Sequence, residues 1–307
     1  MRLLFTLGAC FLSGFLCAAP LHNIVVFGDS LSDNGNLYEL MQRQFPQSPP
    51  YYDGRFSNGP VWVEQIASSY FPDQVDTRLL DYAVGGSGVA EDDEDDVLLT
   101  LKKQINNYLL SHHDAADPND LYIVWIGANN YLGMPEDTEA TLREVTDGIV
   151  HGLERLADKG AKHIVLFNLP NLGKTPAASE FDSEESMSYL SLTHNERLSQ
   201  SFMSLKEKYP HVEWFYFDAG AVFTEVIDHP DTYNFVDVSH PCSTTMVNNS
   251  MKRSVLKMAA AVTPMKQNDS CDGYLFFDLV HPTVFAHKVI AEKVHHFFDE
   301  AGVSFSK

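Results

Sequence analysis

The sequence predicts a doubly wound α/β fold, in which helices cover a parallel sheet of five strands. Short runs rich in β-branched and aromatic residues alternate along the chain with longer segments of helical periodicity. This alternation is typical of a parallel sheet, because parallel neighbours need a crossover between them. No linker rich in proline, glycine or serine and no internal repeat divides the sequence after residue 19, so we expect one domain over residues 20–307.

The predicted strands and helices follow one another in an order that suits such crossovers. In chain order the strands are Asn23–Phe27, Arg78–Tyr82, Leu121–Ile126, His163–Asn168 and Glu213–Phe217. Their β-branched and aromatic side chains favour a pleated sheet. The helices carry apolar residues at helical spacing and are Val61–Tyr70, Val97–Ser111, Thr138–Lys159, Glu184–Lys208 and Thr283–Ala301.

The composition argues against two broad classes of function. Of the 307 residues, 44% are apolar and 21% are charged, as in ordinary globular proteins. The chain has 42 acidic and 21 basic residues, which gives a formal charge of −21. Such a charge repels phosphate backbones and anionic bilayers, so we expect neither a nucleic-acid partner nor electrostatic attachment to a membrane.

The first 19 residues are predicted to be a secretory signal peptide. They run from Arg2 through a mostly apolar stretch to Cys17-Ala18-Ala19, which resembles a cleavage site. The alternatives are a membrane anchor, for which the stretch is short, and lipoprotein attachment at Cys10. Export to the periplasm or the extracellular medium is the favoured interpretation. No later stretch is apolar for long enough to cross a membrane.

Export determines what the cysteines are expected to do. Removal of residues 1–19 leaves Cys242 and Cys271, and two thiols in an oxidising compartment usually join. The sequence therefore predicts a disulfide, with two buried free thiols as the alternative. In the chain-entropy model, closing a loop of this length stabilises a fold by about 3 to 4 kcal/mol.

Chemistry in such a sheet is expected beyond the carboxyl ends of its strands. The segments that follow three predicted strands or precede the last helix are GDSL (28–31), AVGGSG (83–88), GANN (127–130) and FDLVHP (277–282). Each is a common turn composition by itself. Their joint placement at strand ends indicates a single site.

Ser30, His281 and Asp278 are the predicted catalytic residues. A serine hydroxyl needs an imidazole to take its proton and a carboxylate to orient that imidazole. Asp278 and His281 are three residues apart and within reach of each other, and Pro282 is predicted to occupy the first position of the last helix. A helix that starts at or just after Ser30 would point free amides at a bound carbonyl. With that geometry Ser30 could attack an ester.

Acyl transfer also needs hydrogen-bond donors for the oxyanion. The candidates are the backbone amides of Ser30 and Gly86 and the side-chain amide of Asn129. We expect no metal and no organic cofactor. The acidic run 91–96 lacks the spacing of a calcium loop and is expected to be solvated. The doublets at 112–113 and 295–296 put neighbouring histidines on different sides of predicted helices.

Six segments resemble the successive sequence blocks of the GDSL lipases, within the SGNH hydrolase superfamily. They are FGDSLSDNGN (27–36), DGRFSNGPVWVE (53–64), DYAVGGSG (81–88), WIGANN (125–130), NLPNLGKTPA (168–177) and FFDLVHPT (276–283). They are most similar to those of secreted bacterial lysophospholipases A of the PlaA type, phospholipases A and glycerophospholipid:cholesterol acyltransferases. The resemblance implies a three-layer α/β/α sandwich (SGNH hydrolase, flavodoxin-like), in agreement with the predicted fold.

The resemblance also implies roles for residues. These are Ser30 as nucleophile, Asp278 and His281 as acid and base, and Ser30, Gly86 and Asn129 as the oxyanion hole. Asn130 and Asp81 depart from the usual blocks, in which Asp and Asn are common at these places. Because neither has an assigned catalytic role, the departures concern local hydrogen bonding rather than the reaction.

By the same resemblance the chain is expected to be an exported serine esterase that hydrolyses fatty-acyl esters of lysophospholipids or phospholipids. The negative charge favours monomeric or micellar zwitterionic substrate over an anionic bilayer. Water and an alcohol compete for an acyl-enzyme, so acyl transfer to a sterol remains an alternative. The rival hypotheses are a carbohydrate deacetylase and an exported lipid-binding protein without turnover.

The segment between the two cysteines is basic and rich in methionine. It contains Lys252, Arg253, Lys257, Lys266, Met246, Met251, Leu256 and Met258. One interpretation is a surface loop stapled for stability. The other is a lid that a processing protease can nick, because the loop at 242–271 ends shortly before Asp278 and its apolar side chains suit acyl chains. Asn248 and Asn268 fit the N-glycosylation pattern, which matters only in a glycosylating host.

Overall fold

The computed structural model describes residues 20–89, 100–243, 262 and 270–307. The predicted signal peptide and the acidic run 91–96 lie outside the described residues. So do residues 244–261 and 263–269 of the loop between the cysteines, with both glycosylation patterns.

Five parallel strands form the central sheet, as predicted. In chain order they are β1 (Ile24–Gly28), β2 (Leu79–Asp81), β3 (Leu121–Trp125), β4 (His163–Phe167) and β5 (Glu213–Phe217). Their order across the sheet is β2-β1-β3-β4-β5. Ile24 pairs with Leu79 on one side and with Leu121 on the other. The chain therefore reverses its direction of travel across the sheet next to β1, which is where ligands bind in folds of this kind.

Ten α-helices accompany the sheet in the described part of the chain. They are α1 (Asn36–Leu40), α2 (Trp62–Tyr70), α3 (Val75–Arg78), α4 (Leu101–Ser111), α5 (Ala128–Leu132), α6 (Thr138–Asp158), α7 (Pro176–Glu180), α8 (Glu184–Lys208), α9 (Ala219–Asp228) and α10 (Val284–Glu300). The five predicted helices correspond to α2, α4, α6, α8 and α10. Arg78, predicted to open the second strand, is instead the last residue of α3. Helices of four or five residues were not predicted, because they contain too few turns to show a period.

Helices cover both faces of the sheet, which makes three layers. Tyr122 of β3 packs against Tyr108 of α4, with ring centroids 5.6 Å apart. Trp125 lies on the opposite face of β3, and its ring is 5.8 Å from that of Trp62 in α2. The three-layer prediction is confirmed. None of the helices among the described residues combines the length and the apolar character that crossing a membrane requires.

A second, two-stranded sheet was not predicted. Its strands β6 (Asp237–Pro241) and β7 (Tyr274–Phe276) are parallel. The predicted disulfide joins Cys242, directly after β6, to Cys271, just before β7. Apolar residues from distant segments form a small core around this bridge: Leu37, Tyr51, Phe56, Val84, Val262 and Phe277. This core lies beside Asp278, the next residue after Phe277.

Candidate active site

Ser30 lies in a tight turn at the carboxyl end of β1. The turn is fixed by Gln104 of α4, whose side-chain amide receives a hydrogen bond from Gly28 N at 2.9 Å and donates one to the Gly28 carbonyl oxygen at 2.8 Å. A Cβ at Gly28 would come within 2.8 Å of the Trp125 carbonyl oxygen, so glycine is needed for this approach to β3. The Ser30 backbone amide donates to no acceptor in the described residues.

The helix that could have followed Ser30 directly is absent from the described residues 20–89. The next residues form a turn in which two backbone amides donate to the Asp29 carbonyl oxygen, each at 3.0 Å. Helix α1 begins only at Asn36. Gly35 has a φ of +115°, and the Asp33 carboxylate accepts three backbone amides at the start of α1. These features end the turn after Ser30 before it can become a helix.

Ser30, His281 and Asp278 form one hydrogen-bonded chain. His281 Nε2 lies 2.8 Å from Ser30 Oγ, and His281 Nδ1 lies 2.6 Å from Asp278 Oδ2. Their exposed fractions are 4% for Ser30, 2% for His281 and 1% for Asp278. An imidazole between a hydroxyl and a carboxylate can act as a general base, with its Nδ1 proton held by the carboxylate.

The loop before α10 orients Asp278. Its Oδ1 accepts hydrogen bonds from the backbone amides of Val280 and His281 at 2.9 and 2.7 Å. Burial by itself would raise the pKa of Asp278, but the charge of His281 and hydrogen bonds from His281 and Tyr51 outweigh it, so the pKa is lowered. Asp278 therefore remains an anion at neutral pH and can stabilise an imidazolium.

Pro282 does not occupy the first position of the last helix, contrary to the prediction. Helix α10 begins at Val284, and Thr283 is its N-cap, with a hydroxyl that accepts a first-turn amide at 3.2 Å. Threonine is a favoured N-cap residue, which explains the later start. The Pro282 carbonyl oxygen instead accepts a hydrogen bond from Ser57 Oγ at 2.8 Å. This hydrogen bond attaches the loop to the segment before α2.

Gly86, in the loop after β2, and Asn129, in the first turn of α5, are the other oxyanion candidates. Gly86 has a φ of +79°, and hydrogen bonds fix the residues before and after it. Gly85 N donates to Asp33 Oδ2 at 2.7 Å, and the Ser87 carbonyl oxygen accepts from Asn129 Nδ2 at 2.8 Å. The Gly86 amide donates to no acceptor in the part of the chain that the structure describes.

A cleft opens over Ser30 and His281, which both line it. Asn129 lines this cleft, whereas Gly86 does not. Lys174 is the one Lys or Arg among its lining residues in the described chain. Most of the remaining wall is apolar and includes Leu132, Leu172, Phe223, Ile227, Phe276 and Val280.

Three carboxylates lie in or near the turn that carries Ser30. Burial raises the pKa of Asp29 to about 6, and it raises the pKa of Asp33 to about 6 against four backbone hydrogen bonds. Burial, together with the charge of Asp33, raises the pKa of Asp81 well above its usual range. Asp81 accepts the backbone amides of Asn34 and Ala83. This departure from the usual blocks therefore has a local hydrogen-bonding role.

Asn130, the other departure, holds the glycine-rich loop. Its Oδ1 accepts a hydrogen bond from Val89 N at 2.8 Å. A Cβ at Gly88 would come within 2.8 Å of that oxygen, so the loop passes very close to the amide. The buried Asn130 side chain thus connects the loop after β2 to helix α5.

The sequence reasoning missed the residues that support the acid–base pair. Tyr51 Oη donates to Asp278 Oδ2 at 2.5 Å. The Phe56 ring lies over the His281 ring, with centroids 5.0 Å apart. Both come from a segment with neither strand nor helix periodicity. Part of it matched a family block, DGRFSNGPVWVE, and that block was the available signal.

One group of described residues has the composition of a metal site. His22, Asp117 and Asp120 place a ligand atom each within 4.8 Å of one another. The Asp120 carboxylate accepts two hydrogen bonds from Asn23, and the Asp117 carboxylate accepts two from Asn119. These carboxylates therefore already support the backbone around β3. None of the group lines the cleft.

A parallel α/β sandwich with a Ser-His-Asp chain at the carboxyl edge of its sheet is the arrangement of a serine esterase. Residues 24–294 match the family of GDSL-like lipases and acylhydrolases. The chain belongs to this family, as the sequence blocks predicted. It is accordingly a hydrolase of the esterase and acyltransferase kind.

The chain is also similar to individual proteins. The chain is 32% identical over 309 residues to a phosphatidylcholine-sterol acyltransferase of Aeromonas hydrophila, with 90% of each chain covered. It is 28% identical over 280 residues to the secreted effector protein SseJ of Salmonella typhimurium, covering 90% of this chain and 61% of that relative. The fold also aligns with a catalytic mutant of Axe2, an acetylxylan esterase from Geobacillus stearothermophilus. The TM-score is 0.49 at 14% identity, with 95% and 99% of the two chains covered.

Proposed function

We propose that this protein is a lysophospholipase A, a serine esterase that releases fatty acids from lysophospholipids and phospholipids through an acyl-Ser30 intermediate. The observation that carries the proposal is the hydrogen-bonded chain from Ser30 through His281 to Asp278 beneath an apolar cleft. Lys174 adds a cation at this cleft that suits the phosphate of a lipid head group.

In the first half of the proposed reaction, Ser30 Oγ attacks the ester carbonyl carbon while His281 Nε2 takes the hydroxyl proton. Asp278 holds the Nδ1 proton and stabilises the imidazolium. The amides of Ser30, Gly86 and Asn129 bind the oxyanion. His281 then donates its proton to the leaving glycerol oxygen, and the acyl group stays on Ser30.

In the second half, His281 takes a proton from water, which attacks the acyl-serine carbonyl carbon. The second tetrahedral intermediate collapses, Ser30 Oγ recovers its proton from His281, and the fatty acid leaves. The apolar wall of the cleft supports a fatty-acyl substrate. Each methylene removed from water contributes about 0.8 kcal/mol, and an acetyl group would leave most of this wall uncovered. This argument favours a lipid over the carbohydrate deacetylase alternative.

Acyl transfer to a sterol is the second candidate. It is supported by the relative from Aeromonas hydrophila, whose name is phosphatidylcholine-sterol acyltransferase and which matches over 90% of both chains. The two functions share every step up to the acyl-serine. They differ only in whether water or a sterol hydroxyl attacks it.

Product analysis tests the proposal. The protein is incubated separately with lysophosphatidylcholine, with phosphatidylcholine, with phosphatidylcholine plus cholesterol, and with acetylated xylan. Free fatty acid is the expected product, and cholesteryl ester would establish transfer. Acetate as the main product would contradict a lipid substrate. An organophosphonate should add its mass at Ser30, and Ser30→Ala should remove labelling and lower kcat by about 10⁵- to 10⁶-fold; turnover that survives this change excludes the acyl-Ser30 mechanism.

We further propose that residues 1–19 are removed during export and that residues 20–307 form one domain. The apolar stretch that ends in Cys17-Ala18-Ala19 supports the first statement. Amino-terminal sequencing of protein recovered from the medium or periplasm should give a start near residue 20. A mature protein that begins at Met1 would contradict it.

A further inference from the structure

We infer that Tyr51 is a positioning residue, which acts on His281 through the Asp278 carboxylate. The inference rests on the proposed catalytic role of Ser30, His281 and Asp278. Tyr51 Oη donates to Asp278 Oδ2 at 2.5 Å, and the same oxygen accepts His281 Nδ1 at 2.6 Å. Tyr51 and Asp278 are 227 positions apart in the sequence. The fold therefore brings a second donor to the oxygen that orients the imidazole.

The Tyr51 hydroxyl has a fixed direction. The side chain is 1% exposed, and its ring packs edge-on against Phe56 and Phe277, with centroids 5.7 and 5.3 Å away. Burial, followed by the charge of Asp278, raises the pKa of Tyr51 well above its usual range. Tyr51 consequently remains a hydrogen-bond donor over the whole pH range in which an esterase works.

Four donors saturate the Asp278 carboxylate. Oδ1 accepts two backbone amides of its own loop, and Oδ2 accepts Tyr51 and His281. Without the tyrosine hydroxyl, Oδ2 would keep only the imidazole, and the carboxylate would be less restrained about its Cβ–Cγ bond. The lost donor would also leave more negative charge on Oδ2. The imidazolium form of His281 would then be more strongly stabilised by this oxygen.

Other titratable groups lie near His281, and the Tyr51→Phe change alters none of them. The Asp29 carboxyl has its pKa raised to about 6 by burial, and the charge of His281 opposes this rise. Burial lowers the pKa of His287 to about 3, so it stays neutral. Among the charged groups, only Asp278 acts on the pKa of Tyr51. A change at Tyr51 thus affects the acid limb of the activity profile through Asp278.

The test compares Tyr51→Phe with Tyr122→Phe. Tyr122 serves as the control, because its buried hydroxyl is also hydrogen-bonded, on a strand that does not line the cleft. The Tyr122 hydroxyl bonds to Tyr108 Oη and donates to the Asp117 carbonyl oxygen. With a soluble p-nitrophenyl ester, Tyr51→Phe should lower kcat about tenfold and leave KM within about twofold. It should move the acid limb of kcat/KM to higher pH by about half a unit. Tyr122→Phe should change none of these.

A spectroscopic measurement extends the test to protein without turnover. The downfield proton resonance of His281 Nδ1 should shift in Tyr51→Phe and stay in place in Tyr122→Phe. A wild-type acid limb and an unshifted resonance in Tyr51→Phe would overturn the inference. A loss of activity that is equal at all pH values, with an unmoved limb, would also overturn it, since that is the mark of a packing role. If instead Ser30→Ala keeps its activity, the proposed function itself fails, whatever Tyr51 does.

Discussion

The two sides of the proposed active site are built in different ways. On the nucleophile side, Ser30, Gly86 and Asn129 each follow a strand of the main sheet, and these strands are neighbours in the order β2-β1-β3. On the acid–base side, Asp278 and His281 follow β7 of the small sheet. Side chains of residues 51–57 and the small core at the disulfide hold them there.

This difference indicates what fixes each group. The main sheet sets the nucleophile side, because strand register determines where each strand ends. Side-chain contacts between segments more than 200 positions apart set the acid–base side. We therefore expect changes on the nucleophile side to act mainly through lost oxyanion binding. Changes on the acid–base side should act mainly through the orientation of one imidazole.

The largest effect is expected from Asp278→Asn on the acid–base side. An amide in place of the carboxylate can present a donor to His281 Nδ1 and thereby favour the tautomer that cannot accept the Ser30 proton. The loss in kcat should be about 10⁴-fold. Steady-state kinetics on lysophosphatidylcholine measure it, and a thermal melt shows whether the variant is folded. Asp272→Asn, an exposed change just before β7, should have no effect; a folded Asp278→Asn variant with less than a tenfold loss would remove the orienting role of Asp278.

Asn129→Ala tests the nucleophile side and should have the next largest effect. Loss of one oxyanion donor lowers kcat by about 10²- to 10³-fold and leaves KM nearly constant, because the donor acts on charge that develops in the transition state. The same change at the exposed Asn107 of α4 is the control. An effect confined to KM would show that Asn129 binds the ground state of the substrate and does not hold the oxyanion.

The same division separates what the sequence predicts from what it does not predict. The five strands of the main sheet are marked by short apolar runs, so the residues that follow them could be chosen without a structure. The support from Tyr51 could not, because its segment has no period and its contact spans 227 positions. Strand β6 was missed because Asp237–Pro241 is mostly polar and contains proline. The turn after Ser30 could not be described in advance either, because Asp33 binds backbone amides that the pattern alone does not assign.

On the nucleophile side, a buried neutral imidazole contacts the helix that carries Asn129. The stability of the fold should therefore fall in acid. Tyr131 belongs to the helix that carries Asn129, and its Oη lies 2.8 Å from His194 Nδ1. Burial lowers the pKa of His194 to about 3. The unfolded chain therefore binds one more proton than the fold between that value and about 6.5. Stability from this histidine is complete above pH 6.5 and is lost as the pH falls towards 3.

His194→Asn keeps a polar atom for Tyr131 and removes the titration. Between pH 7 and pH 5 the wild type should lose about 2 kcal/mol of unfolding free energy relative to this variant. Urea melts at the two pH values measure the difference. His211→Asn, at an exposed histidine, should show no such difference between the two pH values. Parallel pH dependence of the wild type and His194→Asn would mean that His194 is protonated in the fold.

The smallest effect is expected at Lys174. This residue lines the cleft and is the last residue of the 3-10 helix Leu172–Lys174. Its side chain is exposed, so its attraction for a lipid phosphate is that of a charge in water, about 1 kcal/mol at contact. Lys174→Gln should therefore raise KM for lysophosphatidylcholine about fivefold and leave kcat unchanged.

A neutral substrate tests whether Lys174 contacts the lipid phosphate. A monoacylglycerol with the same acyl chain should be hydrolysed equally well by Lys174→Gln and the wild type, because it offers no charge to the lysine. The effect on lysophosphatidylcholine should shrink as salt is added, since screening weakens an exposed charge pair. Lys102→Gln on α4 makes the same change in net charge away from the cleft and should leave both substrates unaffected. A rise in KM of equal size on both lipids would instead assign Lys174 to packing against the acyl chain, and the phosphate would then have to be recognised elsewhere or not at all.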